Sequence, residues 1–119
     1  MDIKWSLIHE LNSGDISKYA PTSSGVYVIW VHFKDGKWRC HYTGQAENLE
    51  QRLYQHISSS ESNTSIKSGV SKFRCGYCTA EVGSQANRNG IELYLYQTYK
   101  PEWNDITPPG TSPIQVNLP

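Results

Sequence analysis

A surplus of charge of either sign is missing from this chain: eleven Lys and Arg stand against eleven Asp and Glu, a formal net charge of +0 at pH 7. Proteins that hold phosphate backbones tightly carry a basic excess, because each neutralised phosphate contributes through counterion release. Basic patches survive only locally. Lys67, Lys72, Arg74 and Arg88 face Glu81 alone between residues 64 and 90, and Lys34, Lys37 and Arg39 face Asp35. Binding to a polyanion is therefore expected to be weak and salt-sensitive unless a homodimer or a targeting partner protein assists. Long hydrophobic runs are missing as well, which excludes a membrane span and an export signal in Met1–Glu10. The three cysteines, Cys40, Cys75 and Cys78, are too few and odd in number for a disulfide framework. Free thiols in a reducing cytoplasm are the expectation. Neither an internal repeat nor a low-complexity block is found.

Aromatic residues are plentiful. Eight Tyr and four Trp in 119 residues exceed what one small core buries, so some rings are expected to stay half-exposed. A hydrophobic fraction of 37% against 18% charged residues argues for one folded domain.

The first candidate element is Trp5–Leu11, read as a short amphipathic helix ended by Asn12-Ser13-Gly14. Pro21–Gly25 reads as a turn. Gly25–Phe33 and Trp38–Gly44 are strand-like runs joined through Lys34-Asp35-Gly36-Lys37, and Asp-Gly between such runs is a hairpin signal. Asn48 is a good N-cap, and Leu49, Leu53 and Ile57 recur at helical spacing, which predicts a helix to about Ser58. The serine-rich stretch Ser58–Ser71 reads as a loop. Lys72–Glu81 alternates as a third strand, and Ser84–Lys100 is a second main helix stopped before Pro101. Residues 1–24 then form an N-terminal helix and turn, 25–105 the main unit, and 106–119 an extended tail with four prolines. The expected architecture is α+β, a small three-stranded antiparallel sheet flanked by helices.

Arg52 and His56 lie four residues apart and share one flank of the first main helix. Tyr27 falls early in one hairpin strand and Tyr42 late in the other, so their ends meet. Each residue has a plain structural reading by itself: strand aromatics, a solvated arginine, a capping histidine. Their order is more telling. Gly25-Val26-Tyr27, Tyr42-Thr43-Gly44-Gln45, Asn48-Leu49, Arg52-Leu53, His56, Glu92 and Lys100-Pro101 with Asn104 together resemble the GIY-YIG nucleases over about 80 residues.

That resemblance implies a GIY-YIG-like fold and hydrolysis of DNA phosphodiesters with one divalent metal, Mg2+ or Mn2+. It implies Glu92 as metal ligand and Arg52 as the contact to the scissile phosphate. Tyr27 and Tyr42 would position or deprotonate the attacking water, and His56 follows one turn after the arginine. Gly44, Gln45 and Asn104 would lie on the substrate side. Thr43 departs from the usual apolar middle residue of the second motif, and Gln45 stands where several members have lysine. Magnesium suits such a site, since it takes hard oxygen ligands and often only one or two carboxylates. A tyrosine base needs help, because its ordinary pKa is about 10, whereas histidine titrates near neutrality. Tyr27 is the preferred base and His56 the other. The alternative is a catalytically inactive nucleic-acid-binding or adaptor module on the same fold. Cys75-Gly76-Tyr77-Cys78 lies in a strand-like run rather than at a helix start, so structural thiols are favoured over a redox or zinc site.

Overall fold

The computed structural model describes residues 1–119. In chain order the elements are β1 (His9–Glu10), α1 (Ser13–Tyr19), β2 (Gly25–His32), β3 (Trp38–Ala46), α2 (Leu49–Ile57), α3 (Thr64–Lys72), β4 (Cys75–Glu81) and α4 (Gln85–Tyr99). The strands form one antiparallel sheet in the order β1-β4-β2-β3. The α+β class holds, but the sheet has four strands where three were expected. No helix is long and apolar enough to cross a membrane.

Strand β2 explains the architecture. Its residues Val26 to Val31 are buried without the alternation of a half-exposed strand, the pattern of a strand covered on both faces. Tyr27, Ile29 and Val31 point into one core with Leu49, Leu53 and Ile66, while Val26, Val28 and Trp30 point into another with Ile91 and Leu95. Helices α2 and α3 thus cover one face and α4 the other. The motif glycine Gly25 is required by close approach: a Cβ there would lie 2.1 Å from the Ala80 carbonyl oxygen.

The hairpin turns at Gly36, whose φ of 82° suits glycine. Register then shifts between Ile29 and Trp30, with Tyr42 opposite Ile29 and Cys40 opposite Trp30. His41 is the extra residue of a β-bulge. Without it, Cys40 and Tyr42 would share a face. With it, Trp38 and Cys40 pack on the α4 side and Tyr42 on the α2 side, beside Tyr27.

Three local expectations give way. Trp5–Leu11 is not a helix: Leu7 is 82% exposed, and the segment lies along β4, with His9–Glu10 paired to it and Ser6 N and Leu11 N donating to Thr79 O and Cys75 O. Asn12 starts a helix instead of ending one, its side chain accepting from Asp15 N at 2.8 Å. Asparagine serves turns and N-caps alike, so the residue alone does not choose. Within the serine-rich stretch lies α3, whose composition is a poor helix former. Tertiary contact stabilises it, with Ile66 fully buried and Gly69 seated under the Trp103 ring.

The tail is extended and pinned to the surface. Ile114 N donates to Gly90 O at 2.9 Å, Val116 is buried in the α4-side core, and Asn117 exchanges two hydrogen bonds of 2.8 Å with the backbone of Ile3. Cys75 and Cys78 point to opposite faces of β4, into different cores. Burial pushes their thiols up to about 11 and about 12, so neither a shared disulfide nor a nucleophilic pair forms there.

Because backbone, not a movable side chain, meets the added methyl group, Gly25→Ala is expected to destabilise the fold by roughly 3 kcal/mol. Urea unfolding followed by tryptophan fluorescence measures it, and an unchanged midpoint contradicts the close approach.

Candidate active site

Helix α2 starts where β2 starts. Leu49 N and Glu50 N donate to the carbonyls of Ser23 and Pro21, and the Asn48 side chain accepts from Gln51 N. Leu49 and Leu53 anchor the helix on the sheet, which carries His56 down to 1% exposure and leaves Arg52 half-buried at the rim. The sequence pattern put both on a flank; the structure sinks the histidine into the core.

Tyr27 pairs with Gly44 across the hairpin. A Cβ on Gly44 would lie 2.5 Å from the Tyr27 hydroxyl, so Gly44 is the floor over which the phenol extends. The Tyr27 and Tyr42 ring centroids are 6.0 Å apart, and His56 lies 5.6 Å from the first and 5.2 Å from the second. Tyr27 Oη is 2.6 Å from His56 Nε2. On the far side of the imidazole, Nδ1 is 3.0 Å from Glu61 Oε2, and Glu61 Oε1 accepts from Asn63 N at 2.9 Å.

Electrostatics keep these rings neutral at rest. Burial raises Tyr27 well above the ordinary phenol range, the neighbouring Tyr42 adds to it, and Arg52 opposes it. Tyr42 is raised by burial too, again against Arg52. Burial lowers His56 to about 4, with Glu61 pulling upward and Arg52 pushing down.

Arg52 Nη1 donates to Gln55 Oε1 at 3.0 Å, while its Nε is buried with no partner. The arginine borders an open cleft of about 960 Å3 whose lining is mostly polar and includes Gln45, Asn48, Gln51, Gln55 and Ser58. From the opposite layer, α4 brings Glu92 past the edge of β3. Gln45 Nε2 donates to Glu92 Oε1 at 3.0 Å and to Asn89 Oδ1 at 2.7 Å. Burial raises the Glu92 carboxyl, opposed by Gln45 and by the charge of Arg52. No cluster of three or more His, Cys, Asp or Glu side chains exists, so a metal here would rest on one carboxylate.

The GIY-YIG catalytic domain model matches residues 23–105. The chain belongs to that family. Solved structures of the N-terminal GIY-YIG endonuclease domain of UvrC from Thermotoga maritima share the fold. The magnesium-bound form is 23% identical with a TM-score of 0.54, covering 78% of this chain and 99% of the other. A Tyr→Phe point mutant and an Asn→Ala point mutant, each bound to the catalytic divalent cation, are 22% and 20% identical. Both have TM-scores of 0.54 and cover 80% of this chain and 100% of theirs. No curated protein matches.

Within this GIY-YIG domain, Tyr27, Tyr42, Arg52 and His56 are brought together, and Glu92 acts electrostatically on the same group from across β3. Asn104 sits at the outer edge of β3. Its amide accepts from Thr43 N at 3.1 Å and donates to Thr43 O at 2.9 Å. With Trp103 N donating to His41 O, it closes the free edge of the strand that carries Tyr42 and Gly44. Glu61 was not anticipated. It stands in a polar serine-rich stretch five residues beyond His56, and only its 8% exposure marks it. A carboxylate at a buried position needs a partner; no sequence pattern announces which positions those are.

Protonation of His56 is disfavoured in the folded state and allowed in the unfolded chain. Between pH 6.5 and about 4 the unfolded chain therefore binds the extra proton, and stability falls as pH falls through that window. The loss attributable to His56 is at most ~3 kcal/mol. Denaturant unfolding of the parent and of His56→Gln at several pH values checks this: the variant should lose that part of the slope.

Proposed function

We propose that this chain is a divalent-metal-dependent endonuclease that hydrolyses DNA phosphodiester bonds. The observation that carries the reading is the gathering of two phenols, a neutral imidazole and a half-buried guanidinium on one side of β3, with a carboxylate at its edge.

The donor set fits magnesium. Glu92 offers hard carboxylate oxygens, one of them bonded to Gln45, and waters with phosphate oxygens complete such a shell. Bound there, the metal would supply Lewis-acid stabilisation of charge on the phosphate. The chain's own residues do the rest. Arg52 borders the cleft half-buried beside Tyr27 and Tyr42, and its guanidinium N–H groups suit the non-bridging oxygens of a phosphate. The same arginine stabilises charge gathering on phosphorus-bound oxygens in the transition state.

Tyr27 need not be a phenolate at rest. Its hydroxyl lies against His56 Nε2, so it passes its proton to the imidazole while receiving one from the attacking water. The P–O bond to the leaving sugar oxygen breaks, and that oxygen takes a proton from solvent. Tyr42, the other phenol over the same imidazole, orients the water. Proton transfer by positioned groups of this kind contributes about 10²–10⁴ in rate.

A non-cleaving nucleic-acid-binding or adaptor module is the second reading, favoured by the zero net charge and by Gln45, an amide against Glu92 where several family members have lysine. One assay separates them. The parent is expected to cut plasmid, branched or single-stranded DNA with Mg2+ or Mn2+ and to stop with EDTA. Glu92→Gln should lose at least about 100-fold in rate while keeping its fold, and Arg52→Ala a similar factor. A Glu92→Gln protein that cuts like the parent removes the assigned metal site, and salt-sensitive binding without any cutting supports the module instead.

A further inference from the structure

We infer that Glu61 is a positioning residue for this centre: it holds the proton of neutral His56 on Nδ1, so that Nε2 is the acceptor for the Tyr27 hydroxyl. The inference rests on the nuclease reading for its catalytic consequence, but its geometry stands alone.

A carboxylate only accepts hydrogen bonds, whereas neutral imidazole has one donor and one acceptor nitrogen. Glu61 Oε2 faces Nδ1 at 3.0 Å, which places the ring hydrogen there. Nε2 is left with its lone pair toward Tyr27 Oη at 2.6 Å, and the phenol donates. The array Tyr27–His56–Glu61 is therefore directional, each donated proton pointing from Tyr27 toward Glu61. The groups facing His56 are Tyr27 from β2, Tyr42 from β3, Arg52 from its own helix and Glu61 from the α2–α3 connection. Of these only Glu61 is an acceptor without a proton of its own, so it alone selects the tautomer.

The second Glu61 oxygen makes the selection rigid. Oε1 accepts from Asn63 N at 2.9 Å, and Asn63 is in turn fixed as N-cap of α3, its Oδ1 accepting from Ile66 N and its Nδ2 donating to Trp103 O. The carboxylate cannot rotate away without leaving a buried amide unpaired. When Tyr27 gives its proton to Nε2 and takes one from water, His56 becomes an imidazolium hydrogen-bonded to Glu61. The extra proton leaves to solvent after the P–O bond has broken, and atoms and charge balance.

Glu61→Gln is the decisive substitution. Asn63 N still needs an acceptor, so the new carbonyl turns to it and the new NH2 faces Nδ1. That nitrogen must then accept, the ring hydrogen moves to Nε2, and the route from Tyr27 closes. Nitrogen-15 NMR of histidine-labelled protein, with His56 assigned through His56→Gln, reads the tautomer without DNA. The parent should show Nδ1–H at neutral pH and Glu61→Gln should show Nε2–H. In Mg2+-dependent cleavage, Glu61→Gln should lower kcat by about 10²–10⁴-fold with KM within about threefold, and move the acid limb of the rate profile to lower pH. An Nε2–H ring in the parent, or a folded Glu61→Gln with parental kcat and pH profile, overturns the inference. The parent spectrum does not depend on Glu61→Gln, so a failure of that variant to fold does not remove the test. If the parent cuts no DNA, the nuclease reading fails while the tautomer still decides whether Glu61 sets the ring.

Discussion

Strand β2 lies between two cores, and the position of every group in the candidate site follows from that double burial. Its odd-numbered residues from Tyr27 to Val31 face α2 and α3, and its even-numbered residues face α4. Neither helix layer can shift without exposing one side of a strand that has no polar face to present to water. A rigid central strand gives Tyr27 a fixed origin, and the phenol needs one, because its hydroxyl reaches over Gly44 to a buried imidazole. The two motif glycines serve this closeness: Gly25 lets the backbone of β4 approach, and Gly44 makes room for the ring.

The bulge at His41 is the second determinant. It changes the phase of β3 so that one end of the strand serves the α4-side core and the other carries Tyr42 into the site. Bulges recur where a side chain must be re-aimed, and here the edge beyond is closed by Trp103 and Asn104. Asn104 works through the backbone of Thr43, between the two motif residues Tyr42 and Gly44. Its distance in sequence from the cleft thus hides a direct mechanical link to it.

Neutral overall charge and a cationic group at the cleft are compatible once the arrangement is considered locally. Arg52 is the cation of the cleft lining, which Glu47 shares, and two acids elsewhere are paired, Asp35 with Arg39 and Glu10 with Arg74. With Arg52 as its one cation, the cleft offers few contacts to a length of duplex. Affinity for a long polyanion that comes from few contacts is weak and falls with salt.

Some of this was decided by the order of residues alone. Strand β2 shows as a run dense in Val, Ile, Tyr and Trp, the hairpin as Asp35-Gly36, and the shared flank of Arg52 and His56 as a four-residue step on a helix. These are local periodicities, and the motif residues from Gly25 to Asn104 were sufficient to name the family. Other features were decided only by the tertiary structure, because they depend on partners distant in the chain. Asn104 meets Thr43 across 61 residues and Asn63 meets Trp103 across 40. Such contacts turn a serine-rich stretch into α3, bring β1 to the sheet edge, shift the phase of β3, and place Glu61 behind the histidine. Burial sets their chemistry, and burial is a property of the packed molecule, not of any short stretch of its sequence.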